Sequence, residues 1–217
     1  MVSDIDGIGP SYDRIAQRYA QEIGRELQGK PLDRALLDAI AELAGSGLVL
    51  DLGCGPGHVS RYLSARGASC VGLDLSPAMC QLANDPSSGL RSAVADMTAV
   101  PVRSGVAAAV VALYSVIHLA EPDRRRAYEE FARVLSPGGI ALIGFHVRDA
   151  DSGPGENRRM FDWWGQPIDL TFHFLDPSVE IELLADAGLR RIARLDRTPI
   201  PNGEHPSERS YILVQRD

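Results

Sequence analysis

Glycine occupies every second position of a short segment that follows an apolar run. Residues 49–57 read VLDLGCGPG, with Gly53, Gly55 and Gly57 in alternation. This pattern predicts a strand, a tight turn and a helix that begins at His58, the arrangement that forms a nucleotide-type pocket at the carboxyl edge of a parallel sheet. Bare glycine backbone lets a ligand approach without meeting a Cβ atom, and the helix start offers unpaired N–H groups to a carboxylate.

The spacing of these glycines argues against a dinucleotide. In a G-x-G-x-x-G fingerprint the third glycine allows the helix to pack closely on the strand. Here the third glycine comes one residue early, at Gly57, and His58 occupies the position that should be small. NAD and FAD are therefore disfavoured, and with them a nicotinamide oxidoreductase. The segment also lacks the lysine of a phosphate-binding loop, so a ligand without phosphates is expected.

Residues 50–57 closely resemble motif I of the class I S-adenosylmethionine (SAM)-dependent methyltransferases, and residues 113–119 resemble the corresponding segment of members that act on small molecules. The resemblance implies SAM as methyl donor and S-adenosylhomocysteine (SAH) as product. It assigns five cofactor-binding residues in this segment: Asp51, Gly53, Cys54, Gly55 and Gly57. Asp51 is expected to bond loop amides, or a water at the SAM ammonium, and to take no part in the chemistry.

Two further acids stand at expected strand ends. Asp74 resembles the ribose-binding acid of the family, with Leu75 beside it, because a carboxylate there can accept bonds from two ribose hydroxyls. The alternative role for Asp74 is a helix cap, but Ser76 already fills that position. Asp96 and Met97 follow the next strand and resemble the adenine-contact position of the family.

The segment after the fourth strand resembles the part of the family fold that passes beneath the methionine end of SAM and borders the acceptor. It contributes Leu113 and Tyr114 to the expected cofactor site, and it places His118 where an imidazole could orient or deprotonate the acceptor. His118 is thus the candidate catalytic residue; the alternative is a histidine that bonds backbone at a helix start. Tyr19 in the first helix is expected to close over the methionine carboxylate, or else to be an ordinary tyrosine of an amphipathic helix.

Strands alternate with helices along the chain, which predicts an α/β fold with helices on both faces of a largely parallel sheet. The expected architecture is Rossmann-like and doubly wound, with seven strands, one antiparallel closing strand and an N-terminal helical lid. Strand four, residues 106–113, is apolar throughout and should be buried on both faces. The first helix is expected to start at Ser11 after Pro10, and the second at Pro31. Apolar residues on one side of the second helix are expected to face the core: Leu32, Ala35, Leu36, Ala39, Ile40 and Leu43.

The chain is expected to form a single domain over residues 1–217. Its parts are a helical lid (1–45), a SAM-binding half (46–147), a substrate-side insertion (148–172) and a C-terminal closure of the sheet (173–217). The insertion and its neighbours carry aromatic and imidazole side chains that could form an acceptor wall or simply pack on the core: His146, Phe161, Trp163, Trp164 and His173.

The composition of the chain argues against several classes of binding partner. The 217 residues include 29 acids and 22 lysines and arginines, a net charge of −7, which argues against a nucleic-acid surface and favours a small-molecule acceptor. Three cysteines at unpaired spacings suit a cytoplasmic protein and predict no metal site. No apolar run has the roughly 18 residues of a membrane span, and residues 1–6 lack signal-peptide features. The acceptor atom (O, N, S or C) and the oligomeric state stay open, and a non-catalytic module that binds SAM or SAH is the alternative function.

Overall fold

The computed structural model describes residues 5–84, 89–201 and 203–217; residues 1–4, part of the segment considered for a signal peptide, lie outside the described residues. The α-helices are α1 (Ile5–Ile23), α2 (Pro31–Ala44), α3 (His58–Ser64), α4 (Pro77–Ala83), α5 (Glu121–Val134) and α6 (Pro177–Asp186), with short 3₁₀ helices at Glu26–Gly29 and Val116–His118. The strands are β1 (Leu48–Leu52), β2 (Ser69–Asp74), β3 (Arg91–Val94), β4 (Ala107–Leu113), β5 (Leu135–Arg148), β6 (Asn157–Trp163), β7 (Gln166–His173), β8 (Leu189–Arg197) and β9 (Glu208–Arg216).

Seven strands form one sheet in the order β3-β2-β1-β4-β5-β9-β8. The pairs from β3 to β5 are parallel, while β9 runs antiparallel to both of its neighbours. This confirms the predicted Rossmann-like fold with one antiparallel closing strand and a helix at the N-terminus. Because β1 lies between β2 and β4, the strand order reverses there, and the carboxyl ends of these strands flank the crevice in which such sheets bind ligands.

Strand β4 lies at the centre of the sheet and is covered on both faces, as its apolar sequence predicts. Its residues from Ala109 to Ala112 are fully buried. Residues of α5 and α6 pack on one face of the sheet, and residues of α2 and α3 pack on the other. The site at the carboxyl edge therefore stands on a rigid, two-sided core.

The first helix differs from the prediction. The helix includes residues from Ile5 onwards, so Pro10 lies inside it and Ser11 is not its N-cap. The Ser11 hydroxyl donates to the Gly7 carbonyl at 2.7 Å and accepts from the Asp169 N–H in β7 at 2.9 Å. Proline costs a helix one backbone hydrogen bond, but this packing against β7 holds the helix together across Pro10.

The buried face of α2 was also predicted wrongly. Of the predicted residues Ile40 is buried, but Leu32 and Leu43 are 47% and 61% exposed, and the rest of the buried face is different: Asp33, Leu37, Ala41 and Ala44. Asp33 can be buried because the Arg197 guanidinium lies 3.0 Å from its carboxylate. An acid on the core side made the pattern point to the wrong face, since its partner is 164 residues away.

The expected insertion contains a two-stranded hairpin, β6 and β7, which the sequence did not indicate. Its turn uses Trp164 and Gly165, both with positive φ. Tryptophan is not a usual residue for a left-handed backbone, so the turn carried no recognisable signal. None of the helices in the described ranges combines the length and the apolar character that a membrane crossing needs.

Candidate functional site

The glycine loop joins β1 to α3, and its three glycines all have positive φ: 75° at Gly53, 53° at Gly55 and 81° at Gly57. A Cβ atom on Gly53 would lie 2.2 Å from the Cβ atom of Ser115, and one on Gly57 would lie 2.7 Å from Leu90 Cδ2. The backbone conformation and the close packing both require glycine at these two positions. The loop is therefore held in one shape before any ligand binds.

Asp74 lies opposite this loop at the end of β2. Its Oδ2 accepts the Gly55 N–H at 2.8 Å, and its Oδ1 accepts the Ser76 N–H at 2.8 Å. Ser76 caps α4 by accepting the Met79 N–H at 3.0 Å, so the helix has its cap without Asp74. Burial raises the pKa of Asp74. Each carboxylate oxygen has room for a second hydrogen bond, so the group can still bind a pair of ligand hydroxyls.

Asp51 is buried in β1 and accepts a hydrogen bond from the Ser60 hydroxyl at 2.5 Å on Oδ2. Burial raises its pKa to about 6. A backbone hydrogen bond from Ser60 opposes this shift, and a carboxylate can accept about four hydrogen bonds in all. A buried carboxylate of this kind favours a cationic group of a ligand as its partner.

Around the loop lies a cleft, here called the glycine-loop cleft. Its walls include eleven of the residues predicted from the sequence: Tyr19, Asp51, Gly53, Cys54, Gly55, Asp74, Leu75, Met97, Leu113, Tyr114 and His118. Two predicted residues are not among its walls. Gly57 starts α3 instead, and the Asp96 carboxylate accepts the Thr98 N–H at 2.7 Å. The sequence did not single out the remaining lining residues: Ile8, Tyr12, Glu26, His58, Val59, Met79, Ala95, Ser115 and Leu119.

His118 is buried in the second 3₁₀ helix with both ring nitrogens occupied. Nδ1 lies 3.0 Å from the Thr171 carbonyl oxygen, and Nε2 lies 2.8 Å from the Tyr12 hydroxyl. Because a carbonyl can only accept, Nδ1 carries the proton and Nε2 accepts from Tyr12. Burial lowers the pKa of His118 to about 4, so the ring is neutral at pH 7. In this arrangement the imidazole joins α1 to β7.

Aromatic rings connect α1, the glycine loop and the hairpin. Tyr12 and Tyr19 pack edge to face at 5.7 Å, Tyr19 contacts Trp163 at 6.0 Å, and Trp163 contacts Phe172 at 5.8 Å. A Cβ atom on Gly55 would lie 3.9 Å from Tyr19 Cε1. The Tyr19 ring therefore covers the glycine loop from the side of α1.

Behind these rings lies a second cavity of about 660 Å³, here called the aromatic cavity. It shares four wall residues with the glycine-loop cleft: Tyr12, Tyr19, Glu26 and Tyr114. Ligands in the two spaces would thus meet at this shared wall. Charged, imidazole and aromatic side chains form further parts of its wall: Lys30, His146, Trp163, Phe172, Phe174, Glu204, His205 and Arg209.

Tyr114 separates the two spaces. Its backbone φ is 57°, unusual for a bulky residue, and its hydroxyl bonds to Tyr211 and, at 3.2 Å, to Asp33. Its ring stacks on His146 with centroids 5.0 Å apart. The buried hydroxyl contacts hold the ring in a strained position between cleft and cavity, and such strain is often found at functional sites.

A network of buried charges supports the far wall of the aromatic cavity. The Glu204 carboxylate lies 3.1 Å from Arg209 Nη1, 3.5 Å from Lys30 Nζ and 3.0 Å from Arg197 Nη2. Burial alone would raise the pKa of Glu204, but the hydrogen bond from Arg197 and the nearby charges lower it to about 2. The sequence gave no sign of this network, because its members come from segments far apart in the chain.

Glu26 extends this network to the glycine loop. Its carboxylate lies 2.6 Å from Lys30 Nζ and 3.2 Å from His58 Nε2 at the start of α3. Burial would raise the pKa of Glu26, yet the hydrogen bond from His58 and the charge of Lys30 lower it to about 2. His58, expected only to obstruct helix packing, thus joins the N-terminal segment to the loop.

Known proteins resemble this chain in sequence and in fold. A family model described as a methyltransferase domain matches residues 49–139. Malonyl-[acyl-carrier protein] O-methyltransferase of Salmonella typhimurium is 35% identical over 136 residues, which are 63% of this chain and 52% of the relative. A tRNA (carboxymethyluridine(34)-5-O)-methyltransferase of Arabidopsis thaliana is 34% identical over 135 residues, 61% of this chain and 30% of the relative.

Among solved structures, a SAM-dependent methyltransferase from Methanosarcina mazei superposes with a TM-score of 0.70 at 16% identity, covering 79% of this chain and 92% of that one. At this identity the likeness concerns the fold. The chain spans about half the length of the bacterial relative and less than a third of the plant one.

Proposed function

We propose that the chain is a class I SAM-dependent methyltransferase, which transfers the methyl group of SAM to a small-molecule acceptor and releases SAH. The observation that carries this proposal is the wall that two spaces share. The glycine-loop cleft and the aromatic cavity meet at Tyr12, Tyr19 and Tyr114. A donor in the first space and an acceptor in the second would be adjacent there, as a direct transfer requires.

We propose that SAM binds in the glycine-loop cleft through its polar groups. Asp74 accepts hydrogen bonds from the two ribose hydroxyls, and the Asp51 carboxylate pairs with the ammonium. The methionine carboxylate lies near the start of α3, beneath Tyr19. The adenine lies by Met97, with Asp96 next to it. Support for this placement comes from the remaining acceptor capacity of the Asp51 and Asp74 carboxylates, and from the Tyr19 ring above Gly55.

In the reaction the acceptor nucleophile attacks the methyl carbon as the carbon–sulfur bond breaks. The bonding electrons stay on sulfur, which becomes the neutral thioether of SAH, and the positive charge passes with the methyl group to the acceptor. A sulfonium is a good electrophile, so the protein acts mainly by aligning the three atoms and excluding water. The rings of Tyr12 and Tyr19 stand at this point, and aromatic faces attract a cation. We propose that His118 contributes by holding the Tyr12 hydroxyl, since its Nε2 is engaged there.

A small molecule suits the aromatic cavity better than a macromolecule does. Its volume of about 660 Å³ falls in the range of roughly 300–1,000 Å³ of small-ligand sites, and the net charge of −7 disfavours a polyanion. Relatives named for tRNA methylation make tRNA the competing acceptor to be tested. We also propose a cytoplasmic location, because three cysteines at unpaired spacings suit a reducing compartment.

The test is SAH release from SAM in the presence of a metabolite library, run in parallel with total tRNA. Before the screen, calorimetry with SAM, SAH and NAD establishes the ligand; we expect SAM and SAH to bind and NAD not to. Release of SAH that depends on a small molecule supports the proposal. Release that depends only on tRNA contradicts the acceptor class. Tight SAM binding with no release for either acceptor indicates a non-catalytic module.

A further inference from the structure

His146 is a cavity residue with no role in the function derived so far. It belongs to β5, lines the aromatic cavity and stacks on Tyr114, which is part of the wall shared with the glycine-loop cleft. Its ring is therefore one side chain away from the point where donor and acceptor would meet. A polar atom at this place can contact an acceptor directly.

The hydrogen bonds of His146 determine which nitrogen carries the proton. Nδ1 lies 2.7 Å from the hydroxyl oxygen of Ser207, a residue that is 1% exposed. Across the described residues this hydroxyl has no other partner, so a donation from Nδ1 would leave its proton buried and unpaired, which is unfavourable. Ser207 therefore donates to Nδ1, and the proton of the neutral imidazole is on Nε2.

Nε2 has no hydrogen-bond partner within the described part of the chain, and it lies on a ring that lines the cavity. The ring stays neutral because burial lowers the pKa of His146 to about 3, helped by the charges of Arg209, His205 and Lys30 and opposed by Glu204. His146 therefore presents an N–H donor to the cavity and not a base.

Two buried cations lie near this donor. Arg209, which is 2% exposed, also lines the cavity, and its buried Nε has no hydrogen-bond partner among the described residues. Lys30 Nζ and the Arg209 guanidinium lie 5.0 Å and 5.8 Å from the centre of the Tyr114 ring on which His146 stacks. Both cations also face acids, since Glu204 is engaged by three cations and Glu26 lies 2.6 Å from Lys30 Nζ. An anion next to Nε2 would gain a hydrogen bond from His146 in the neighbourhood of these two cations.

We propose that the acceptor carries a carboxylate, and that the Nε2–H of His146 donates a hydrogen bond to one of its oxygens in the aromatic cavity. This inference rests on the proposed function, because it names the class of acceptor that the same cavity takes. The cavity rings of Trp163, Phe172 and Phe174 suit a flat apolar body attached to the carboxylate. His146 is then a specificity-determining residue that selects an acid over its neutral analogue.

The experiment compares cinnamate with cinnamamide, which differ in charge and hardly in shape, on the full chain saturated with SAH. We expect cinnamate to bind about tenfold or more tightly than the amide, as for a hydrogen bond between a donor and a charged group. His146→Phe keeps a ring against Tyr114 and removes the donor, so it should clearly reduce this preference; what is left of it measures the effect of the nearby cations. His146→Gln offers an N–H group near the place of Nε2 and should restore part of it.

Equal binding of acid and amide, or no saturable binding of cinnamate, overturns the inference. A two-bond ¹H–¹⁵N NMR spectrum of the histidine side chains adds a test that does not depend on cinnamate. The His146 signal, assigned by its loss in His146→Gln, should show the tautomer with the proton on Nε2. The tautomer with the proton on Nδ1 would contradict the inference. SAH binding is measured in the same samples. If SAH binds but cinnamate is not preferred, only this inference is wrong. If SAH does not bind, the proposed function is wrong as well.

Discussion

Replacing Asp74 by alanine should weaken SAH binding much more than it weakens the fold. Both carboxylate oxygens already accept one backbone N–H, from Gly55 and Ser76, and each has room for one ribose hydroxyl. In the variant, water replaces the carboxylate as partner of some of these groups. We therefore estimate the loss of binding free energy as that of one hydrogen bond to a charged group. That is roughly 1.5–3 kcal/mol, which corresponds to a 10- to 150-fold increase in Kd.

The effect of Asp74→Ala on stability should be small because two changes oppose each other. The backbone N–H groups of Gly55 and Ser76 lose their acceptor. At the same time a buried charge is removed, and the raised pKa of Asp74 means that its ionised form is less favourable in the folded protein than in the unfolded chain. We expect the free energy of unfolding to change by no more than about 1 kcal/mol.

Calorimetry with SAH and with its 2′-deoxy analogue measures the effect, and Ser76→Ala is the matched control. The control removes the cap of α4, which costs about 1 kcal/mol of stability, but leaves the Asp74 carboxylate in place. The wild type should discriminate between the two ligands, and Asp74→Ala should discriminate less. Unchanged SAH affinity in Asp74→Ala, or undiminished discrimination, would refute the ribose assignment.

Three more predictions follow from the site. SAM affinity should fall as the pH drops below about 6, because the raised pKa of Asp51 means that its carboxylate protonates there. In calorimetry, Asp51→Asn should bind SAM weakly at every pH. A wild-type affinity that does not change between pH 7 and 5 would contradict the pairing of Asp51 with the SAM ammonium. His118→Phe should lower the free energy of unfolding by about 1–3 kcal/mol, because it leaves buried groups of Tyr12 and Thr171 unpaired; a lost limb in the pH–rate profile at unchanged stability would instead support a general base. Glu204→Gln should lower the free energy of unfolding by about 3–5 kcal/mol in denaturant titrations at neutral pH, because it leaves buried cations uncompensated. The pKa of Glu204 is lowered from 4.5 to about 2, so the difference between wild type and variant should shrink only as the pH falls from about 4.5 towards 2; a difference that does not depend on pH in this range would count against it.

Features whose cause is local in the sequence could be predicted. Gly53 and Gly57 mark a loop that only glycine can form, and the apolar run of β4 marks a strand covered on both faces. Ser76 before Pro77 marks a capped helix start, and the structure has that cap. These signals were sufficient for the seven-stranded sheet and for most of the residues that line the glycine-loop cleft, but not for the β6–β7 hairpin.

Features that depend on distant partners could not be predicted. Asp33 is buried because Arg197 pairs with it, which no local pattern reveals. The same holds for Glu204 among its cations, and for Ser207, which determines the proton position on His146. The aromatic cavity is built mostly from such contacts, so the sequence predicted the lining of the glycine-loop cleft far better.

The central claim is that a methyl donor in the glycine-loop cleft presents its methyl group to the aromatic cavity. A crystal structure of the full chain with SAH tests it most directly. We expect the sulfur at the wall formed by Tyr12, Tyr19 and Tyr114, with the ribose hydroxyls on Asp74. A sulfur that faces away from the aromatic cavity, or an adenosyl group that occupies this wall, would contradict the claim.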